Sequence, residues 1–154
     1  YSLHSMRILA PFVGGEPTLV SASAGEREGH PGVDEWLTAE LVFPNGVTGS
    51  AGCSMASDHH QMSHRLVGTQ GEAVIKDFVN PHDDDRLMVT TKDGTRTEHL
   101  GTRSSYTYQL EAFSTAVRTG VPAPAPVGAD DALRTMRLID QCYEASGMQP
   151  RPRH

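Results

Sequence analysis

The sequence predicts an α+β fold, a largely antiparallel, open-faced β-sheet with helices packed on one face. Three observations carry that expectation. Strand-like segments follow one another in a block, with helical patterns only at the two ends of the chain. That order favours an antiparallel sheet over alternating βαβ units. Asn45-Gly46 and Asp93-Gly94 are turn dipeptides that join neighbouring strand patterns as hairpins. Residues 36–43, W-L-T-A-E-L-V-F, alternate strictly, with Leu37, Ala39, Leu41 and Phe43 on one face and Trp36, Thr38, Glu40 and Val42 on the other.

At the start of the chain, Leu3, Met6 and Leu9 recur at helical spacing, and Pro11 with Gly14-Gly15 ends that short helix. Thr18 to Ala24 alternates as a strand, and 25–32 is a polar loop. In the hairpin that follows, Pro44-Asn45-Gly46 supplies the turn, and Asn-Gly suits the positive φ angles of type I′. Its return strand, Val47 to Met55, is rich in Gly, Ser and Ala, which suits close approach by another element. Met62 to Val67 is a further strand, turned by Thr69 to Glu72 into A-V-I-K-D-F. The loop 80–85 precedes strands at Leu87–Thr91 and Thr95–Leu100. A helix between Ser105 and Gly120 aligns Tyr106, Leu110, Phe113 and Val117 on one face. The proline-rich stretch 121–126 is an extended connector. The last helix opens with Asp130-Asp131 at its positive end and is expected to bury Leu133, Met136, Ile139 and Tyr143.

With 154 residues, the chain fits one sheet domain over 1–148 and a short tail over 149–154. The net charge of −6 argues against nucleic acid, which wants a basic face. The two cysteines, Cys53 and Cys142, do not form a secreted disulfide framework, so a reducing, cytoplasmic setting is expected. No run reaches the roughly 18 apolar residues of a membrane span, and no signal-peptide pattern opens the chain. The chain starts at Tyr1, one residue before a helical pattern, and is expected to be a piece of a longer polypeptide. An open sheet face of this size is expected to need a second domain or a second subunit.

Several chemistries can be weighed from the residues. No G-x-G-x-x-G follows a strand and no G-x-x-x-x-G-K-[ST] occurs, so the chain lacks a nucleotide cradle of either common type. Gly52-Cys53-Ser54-Met55-Ala56 imitates a nucleophile elbow, but an elbow needs a helix after the turn, and a strand follows here. His60 and His64 share the i, i+4 spacing of two metal ligands only if they lie on a helix, and the pattern reads as loop and strand. His82 with Asp83, Asp84 and Asp85 offers oxygens but lacks the spaced ligands and glycine of an EF-hand, so a solvated acidic loop is the simpler reading. His59 and His60 could instead line a pocket at the sheet's end. Tyr1, His4, Arg7, Tyr106, Tyr108 and Gln109 remain. A phenol can pass a proton to a carbonyl if a cation lowers its pKa from about 10, whereas a lone tyrosine at a helix start is ordinarily a packing residue.

Tyr1-Ser2-Leu3-His4-Ser5-Met6-Arg7 resembles the tail of a motif in the Gfo/Idh/MocA oxidoreductase family, roughly D-x-G-x-[HY]-x-x-[DNH]-x-x-R. The resemblance continues in order through G-V-D-E-W-L-T-A-E-L-V-F-P-N-G, L-V-G-T-Q-G-E-A-V-I and S-Y-T-Y-Q-L-E-A-F-S-T-A-V-R-T-G, over nearly the whole chain. G-V-D-E with C-S-M is most similar to the dihydrodiol dehydrogenase branch. The resemblance implies an N-terminal Rossmann domain binding NAD or NADP ahead of a substrate-binding sheet domain. It places Tyr1 at the catalytic His/Tyr position and His4 at the adjacent substrate-orienting position, with Tyr106 and Tyr108 near the pocket rim. The family's Glu-Lys-Pro motif has no counterpart in this chain. The resulting expectation is the substrate-binding and dimerisation domain of an NAD(P)-dependent oxidoreductase acting on a sugar, cyclitol or dihydrodiol. Such a domain would pair as a homodimer through the open sheet face and would be inactive alone, with no cofactor of its own. The alternatives are a non-catalytic dimeric sheet domain that binds a small ligand or a protein, and a metal-dependent hydrolase using the histidines.

Overall fold

The computed structural model describes residues 1–121 and 128–150. The expected connector at 121–126 and tail at 149–154 fall largely outside the described residues. The elements are α1 (Ser2–Arg7), a 3₁₀ turn (Ala10–Phe12), β1 (Thr18–Glu26), β2 (Asp34–Val42), β3 (Thr48–Ser54), β4 (His64–Gly68), β5 (Gly71–Ile75), β6 (Arg86–Thr91), β7 (Gly94–His99), α2 (Ser105–Thr119) and α3 (Ala129–Ala145). Every paired strand runs antiparallel to its neighbour, as the strand block predicts for an α+β fold. The strands are divided between two sheets, ordered β1-β2-β3 and β4-β5-β6-β7. The chain falls into two compact units that divide after Asp58. The first contains β1–β3 with α1 and α3, and the second contains β4–β7 with α2.

In the first unit the alternation of β2 is realised residue for residue. Leu37, Ala39, Leu41 and Phe43 are buried, while Trp36, Thr38 and Glu40 face outward. The helices α1 and α3 cover the inner face, α1 on β3 and α3 on β1, and they touch each other. The core joins Leu3 and Met6 of α1, the inner residues of β2, Ala51 of β3, and Leu138 and Cys142 of α3. The small residues of β3 have their explanation here. A Cβ on Gly49 would lie 2.1 Å from the Met6 Cε, so the return strand is narrow because α1 presses on it. The turn between β2 and β3 departs from type I′. Among the described residues no non-glycine has positive φ; Gly46 alone in this turn is left-handed, at 84°. The Gly46 amide donates to the Phe43 carbonyl (2.9 Å), and the Phe43 amide donates to the Val47 carbonyl (2.8 Å). This is the three-residue loop closed by a left-handed glycine, and Pro44 lengthens the turn beyond the two residues that type I′ allows.

The face that α3 buries also differs from the sequence expectation. Leu133 and Met136 are exposed, Ile139 and Tyr143 are half-buried, and the deepest residues are Leu138 and Cys142. The row turned inward is Asp131, Thr135, Leu138, Cys142, at i, i+4, i+7, i+11. Its N-terminal half is polar because it meets the Arg7 guanidinium, so ranking faces by hydrophobicity selects the wrong one. Tyr143 Oη donates to Asp34 Oδ1 (2.8 Å) and ties the far end of α3 to β2.

Cys142 has no exposed surface, and burial pushes its thiol pKa up, with Cys53 adding a smaller upward push. Cys53 is free and exposed. A disulfide reagent at mildly alkaline pH is therefore expected to modify one thiol per native chain and both after denaturation. Two fast-reacting thiols in the native protein would contradict this packing.

The second unit is a four-stranded meander. Gly71 begins β5 at φ 151°, and a Cβ there would lie 2.1 Å from the Thr90 carbonyl oxygen, so the position requires glycine. The helix α2 ends where Gly120 turns left-handed, at φ 68°, as the sequence predicts. The row Tyr106, Leu110, Phe113, Val117 does share one face, and all four are at least half exposed.

Candidate functional site

Tyr1, His4 and Arg7 recur every third residue along α1, and their exposure falls in that order. Tyr1 is 70% exposed, the His4 side chain is 32% exposed and the Arg7 side chain only 2%. Tyr1 is the N-cap of α1, and its carbonyl accepts the Ser5 amide (2.8 Å). Ser2 Oγ donates to the Gly52 carbonyl (3.1 Å), which fixes the first turn of α1 beside β3. Tyr1 is therefore an exposed residue at a helix tip that is anchored to the sheet one residue later.

Arg7 is the anchor of the cluster. Nε and NH2 donate to the two carboxylate oxygens of Glu16, each at 2.8 Å, in the bidentate geometry that a guanidinium fork matches. NH1 donates to the Asp131 carbonyl (2.9 Å) and to Thr135 Oγ1, and lies 3.0 Å from Asp131 Oδ1. Burial works against the charge, but the Glu16 bonds and the Asp131 carboxylate more than offset it and raise the Arg7 pKa above its ordinary value. Asp131 has a second neighbour, with Oδ2 3.2 Å from His4 Nδ1. One carboxylate thus spans the buried arginine and the half-buried histidine, and it does so from the first turn of α3, where the helix dipole favours negative charge. Beside the cluster an open recess of about 580 Å³ is lined by Arg7, Gly14, Gly15, Glu16, Asp131 and Arg134, among others.

Sequence spacing does not single out Glu16, Asp131 and Thr135 as site residues. The available signal is Arg7, which shares the buried side of α1 with Leu3 and Met6. A guanidinium there needs carboxylate partners from elsewhere in the fold.

Tyr106 and Tyr108 belong to the second unit, in the first turn of α2, each at least half exposed. The Arg103 guanidinium stacks over the Tyr108 ring at 4.5 Å and pairs with Glu111. The Glu111 bond raises the Arg103 pKa, and Arg103 in turn lowers that of Glu111.

The histidines are engaged locally. His64 packs edge-on against Phe78, ring centroids 6.0 Å apart, and burial lowers its pKa. His60 Nε2 sits 3.5 Å from Asp77 and 3.3 Å from the Asn80 amide nitrogen. In the acidic loop, Asp84 binds the Arg86 side chain, whose hydrogen bonds hold the Asp84 carboxyl at about 2. Asp85 binds His99 Nδ1 (2.7 Å) and the Gly101 amide (3.0 Å), and the His99 bond lowers its pKa. The oxygens of Asp84 and Asp85 turn to internal partners rather than toward one another. Among the described residues no group of three or more His, Cys, Asp or Glu is placed to hold a metal ion. Ser54 ends β3 and is followed by bends rather than a helix, so no nucleophile elbow forms.

Residues 2–74 match the family model described as the GFO/IDH/MocA C-terminal domain. The motif resemblance is borne out: residues 2–74, just under half of the chain, are similar to the C-terminal domain of the Gfo/Idh/MocA oxidoreductases. A curated relative, an uncharacterized oxidoreductase (ORF334) of Rhizobium meliloti, is 27% identical over 118 residues, covering 71% of this chain and 34% of the relative. Among solved structures, the aldose-aldose oxidoreductase of Caulobacter crescentus, crystallised with glycerol, is 21% identical with a TM-score of 0.76, over 95% of this chain and 44% of that one. The 3-ketoreductase KijD10 of Actinomadura kijaniata, solved with TDP-benzene and NADP, is 20% identical with a TM-score of 0.77, over 94% of this chain and 45% of that one. The UDP-N-acetylglucosamine 3-dehydrogenase GnnA of Acidithiobacillus ferrooxidans is 17% identical with a TM-score of 0.75, over 94% and 45%. The chain thus spans about a third of the curated relative and under half of each of these structures. At such identities the structural likeness establishes a shared fold.

Proposed function

We propose that this chain is the substrate-binding and dimerisation domain of an NAD(P)-dependent oxidoreductase that acts on a hydroxyl or carbonyl of a sugar, cyclitol or dihydrodiol. The observation that carries the reading is an exposed tyrosine at the tip of α1, a short helix whose His4 and Arg7 both lie against Asp131. The exposure of Tyr1 leaves it open to a substrate, and the bonds of Ser2 and Arg7 tie the helix to its scaffold. Tyr1 Oη gives a proton to the substrate oxygen during reduction and accepts one during oxidation. His4 orients a neighbouring polar group of the substrate, and the motif resemblance assigns Tyr106 and Tyr108 to the rim. The neighbours in fold, an aldose oxidoreductase, a 3-ketoreductase holding NADP and a nucleotide-sugar dehydrogenase, support a polyol or keto-sugar substrate.

The dinucleotide does not fit this chain. Its strands pair antiparallel, and none of the described strands runs through a glycine-rich turn straight into a helix. The cofactor belongs to a Rossmann domain elsewhere in the full-length protein, and the fragment is expected to be inactive alone. Titration calorimetry with NADH and NADPH should give no saturable heat with this chain and saturable binding with the full-length enzyme. Saturable binding by the chain itself would overturn the reading.

The outer face of β1–β3 is the dimer surface. It carries Ser23, Thr38, Gly52, Ser50 and Glu40, with Glu40 accepting a bond from Ser50 Oγ (2.7 Å). Trp36 lies across Gly25 at its edge. Short, polar side chains let a second copy of the face approach closely in a two-fold, self-complementary contact. Sedimentation at micromolar concentration is expected to report a dimer, and Thr38→Arg, which puts a bulky charged side chain into that face, to report a monomer.

A further inference from the structure

We propose that the row Tyr106, Leu110, Phe113 and Val117 on α2 is the surface on which the cofactor-binding Rossmann domain of the full-length protein docks. The inference rests on the reading of this chain as one part of an NAD(P)-dependent oxidoreductase, and its own ground is the second unit. Among the described residues of that unit, Val79 is the only buried hydrophobic side chain, whereas the first unit has the core described above. The helix α2 has no buried residue in fifteen. Leu110, Phe113 and Val117 are each 67% exposed, and beyond the first turn only Ala112 and Ala116 are half-buried. The helix thus turns its methyl side chains inward and its large apolar side chains to solvent, the reverse of a helix in a finished fold. Its start is tied to the unit by Ser105 Oγ, which donates to the Val79 carbonyl (2.8 Å).

Local preference does not account for this helix. A lone helix of this length is marginal in water, and α2 carries three threonines, a valine and three aromatic residues, none of them a strong helix former. Its stability must come from burying the apolar row. That row carries no charge, because Glu111 and Arg118 fall on other faces, so covering it desolvates no ion. A second copy is already assigned to the outer face of β1–β3, whose side chains are short and polar. The α2 row is aromatic and aliphatic, like a domain core cut open, which is the chemistry of a permanently buried contact. The chain spans 44–45% of its relatives in fold, so more than half of each relative's length lies outside its counterpart here. The row also starts at Tyr106, which the motif resemblance puts at the pocket rim. Hydride transfer brings the nicotinamide against the substrate, so the domain that carries the cofactor must close on that rim, and the row continues from it along α2.

The test is photo-cross-linking in the full-length protein, with a benzophenone amino acid in place of Phe113 and mass spectrometry of the digested product. The expected result is a cross-link within one chain, from position 113 to a peptide of the dinucleotide-binding domain. A cross-link between two chains would assign the row to a second copy, and one to residues 1–58 or 128–150 would assign it to the first unit. Either result overturns the proposal, and so does the absence of any cross-link, which leaves the row in water. If that variant does not hold the cofactor, the same probe in place of Val117 is read in the same way. Hydroxyl-radical footprinting of the unsubstituted full-length protein needs no variant. Oxidation of Phe113 is expected to be suppressed in the native protein and restored by denaturation, and equal labelling in the two states overturns the proposal. Cofactor titration of the same preparation keeps two failures apart. A full-length protein that binds neither NADH nor NADPH fails the functional reading, whereas one that binds and cross-links elsewhere fails this inference alone.

Discussion

Arg7→Met is expected to lower the unfolding free energy of the protein by about 3–5 kcal/mol, the cost of removing one partner from a buried ion-pair cluster. The side chain it replaces is 2% exposed and binds Glu16, Asp131 and Thr135, joining α1, the segment before β1 and the first turns of α3. Methionine fills similar space but leaves Asp131 half-buried without its cation. Thermal unfolding should move down by on the order of 10 °C. Arg7→Lys restores the charge without the planar fork and is expected to recover less than half of the loss. Calorimetry on the wild type and the two variants checks the order. Equal melting temperatures for the wild type and the Arg7→Met variant would mean that the cluster contributes nothing net.

Tyr1→Phe is expected to lower kcat of the full-length enzyme by roughly 10²–10⁴-fold, the usual contribution of a positioned acid–base group. The ring and the helix start remain, since the Tyr1 contribution to α1 is a main-chain one, the carbonyl that accepts the Ser5 amide. Stability should change little because the residue is 70% exposed. The two substitutions therefore separate cleanly. Arg7→Met costs stability through the scaffold, and Tyr1→Phe costs rate with the scaffold intact. Unchanged turnover of the phenylalanine variant across a panel of sugars and cyclitols would remove Tyr1 from the mechanism.

What is legible in the sequence, and what is not, divides along one physical line. Period-two alternation in β2 and the glycine after α2 are local signals, and the chain obeys both. The crowding of β3 is legible as a run of small residues, although only packing reveals that Met6 over Gly49 is a cause. The turn at Pro44-Asn45-Gly46 escapes the dipeptide rule, because that rule counts two residues and the proline makes three. The buried face of α3 escapes for a deeper reason. Hydrophobic ranking assumes a core of one polarity, and the row Asp131, Thr135, Leu138, Cys142 changes from polar to apolar along its length. The candidate site shows the same limit. Tyr1, His4 and Arg7 stand within one short motif, while Glu16 and Asp131 lie 9 and 124 residues from Arg7 and enter only through the tertiary fold.

The central claim is that the phenol at the tip of α1 addresses the reacting oxygen of a substrate. A crystal structure of the full-length enzyme with its cofactor and an unreacted polyol tests it most directly. The account predicts Tyr1 Oη within about 2.6–3.2 Å of the substrate oxygen on the carbon that changes oxidation state, or joined to it by a single water. A substrate bound elsewhere, with the Tyr1 ring turned to solvent or packed against protein, would contradict it.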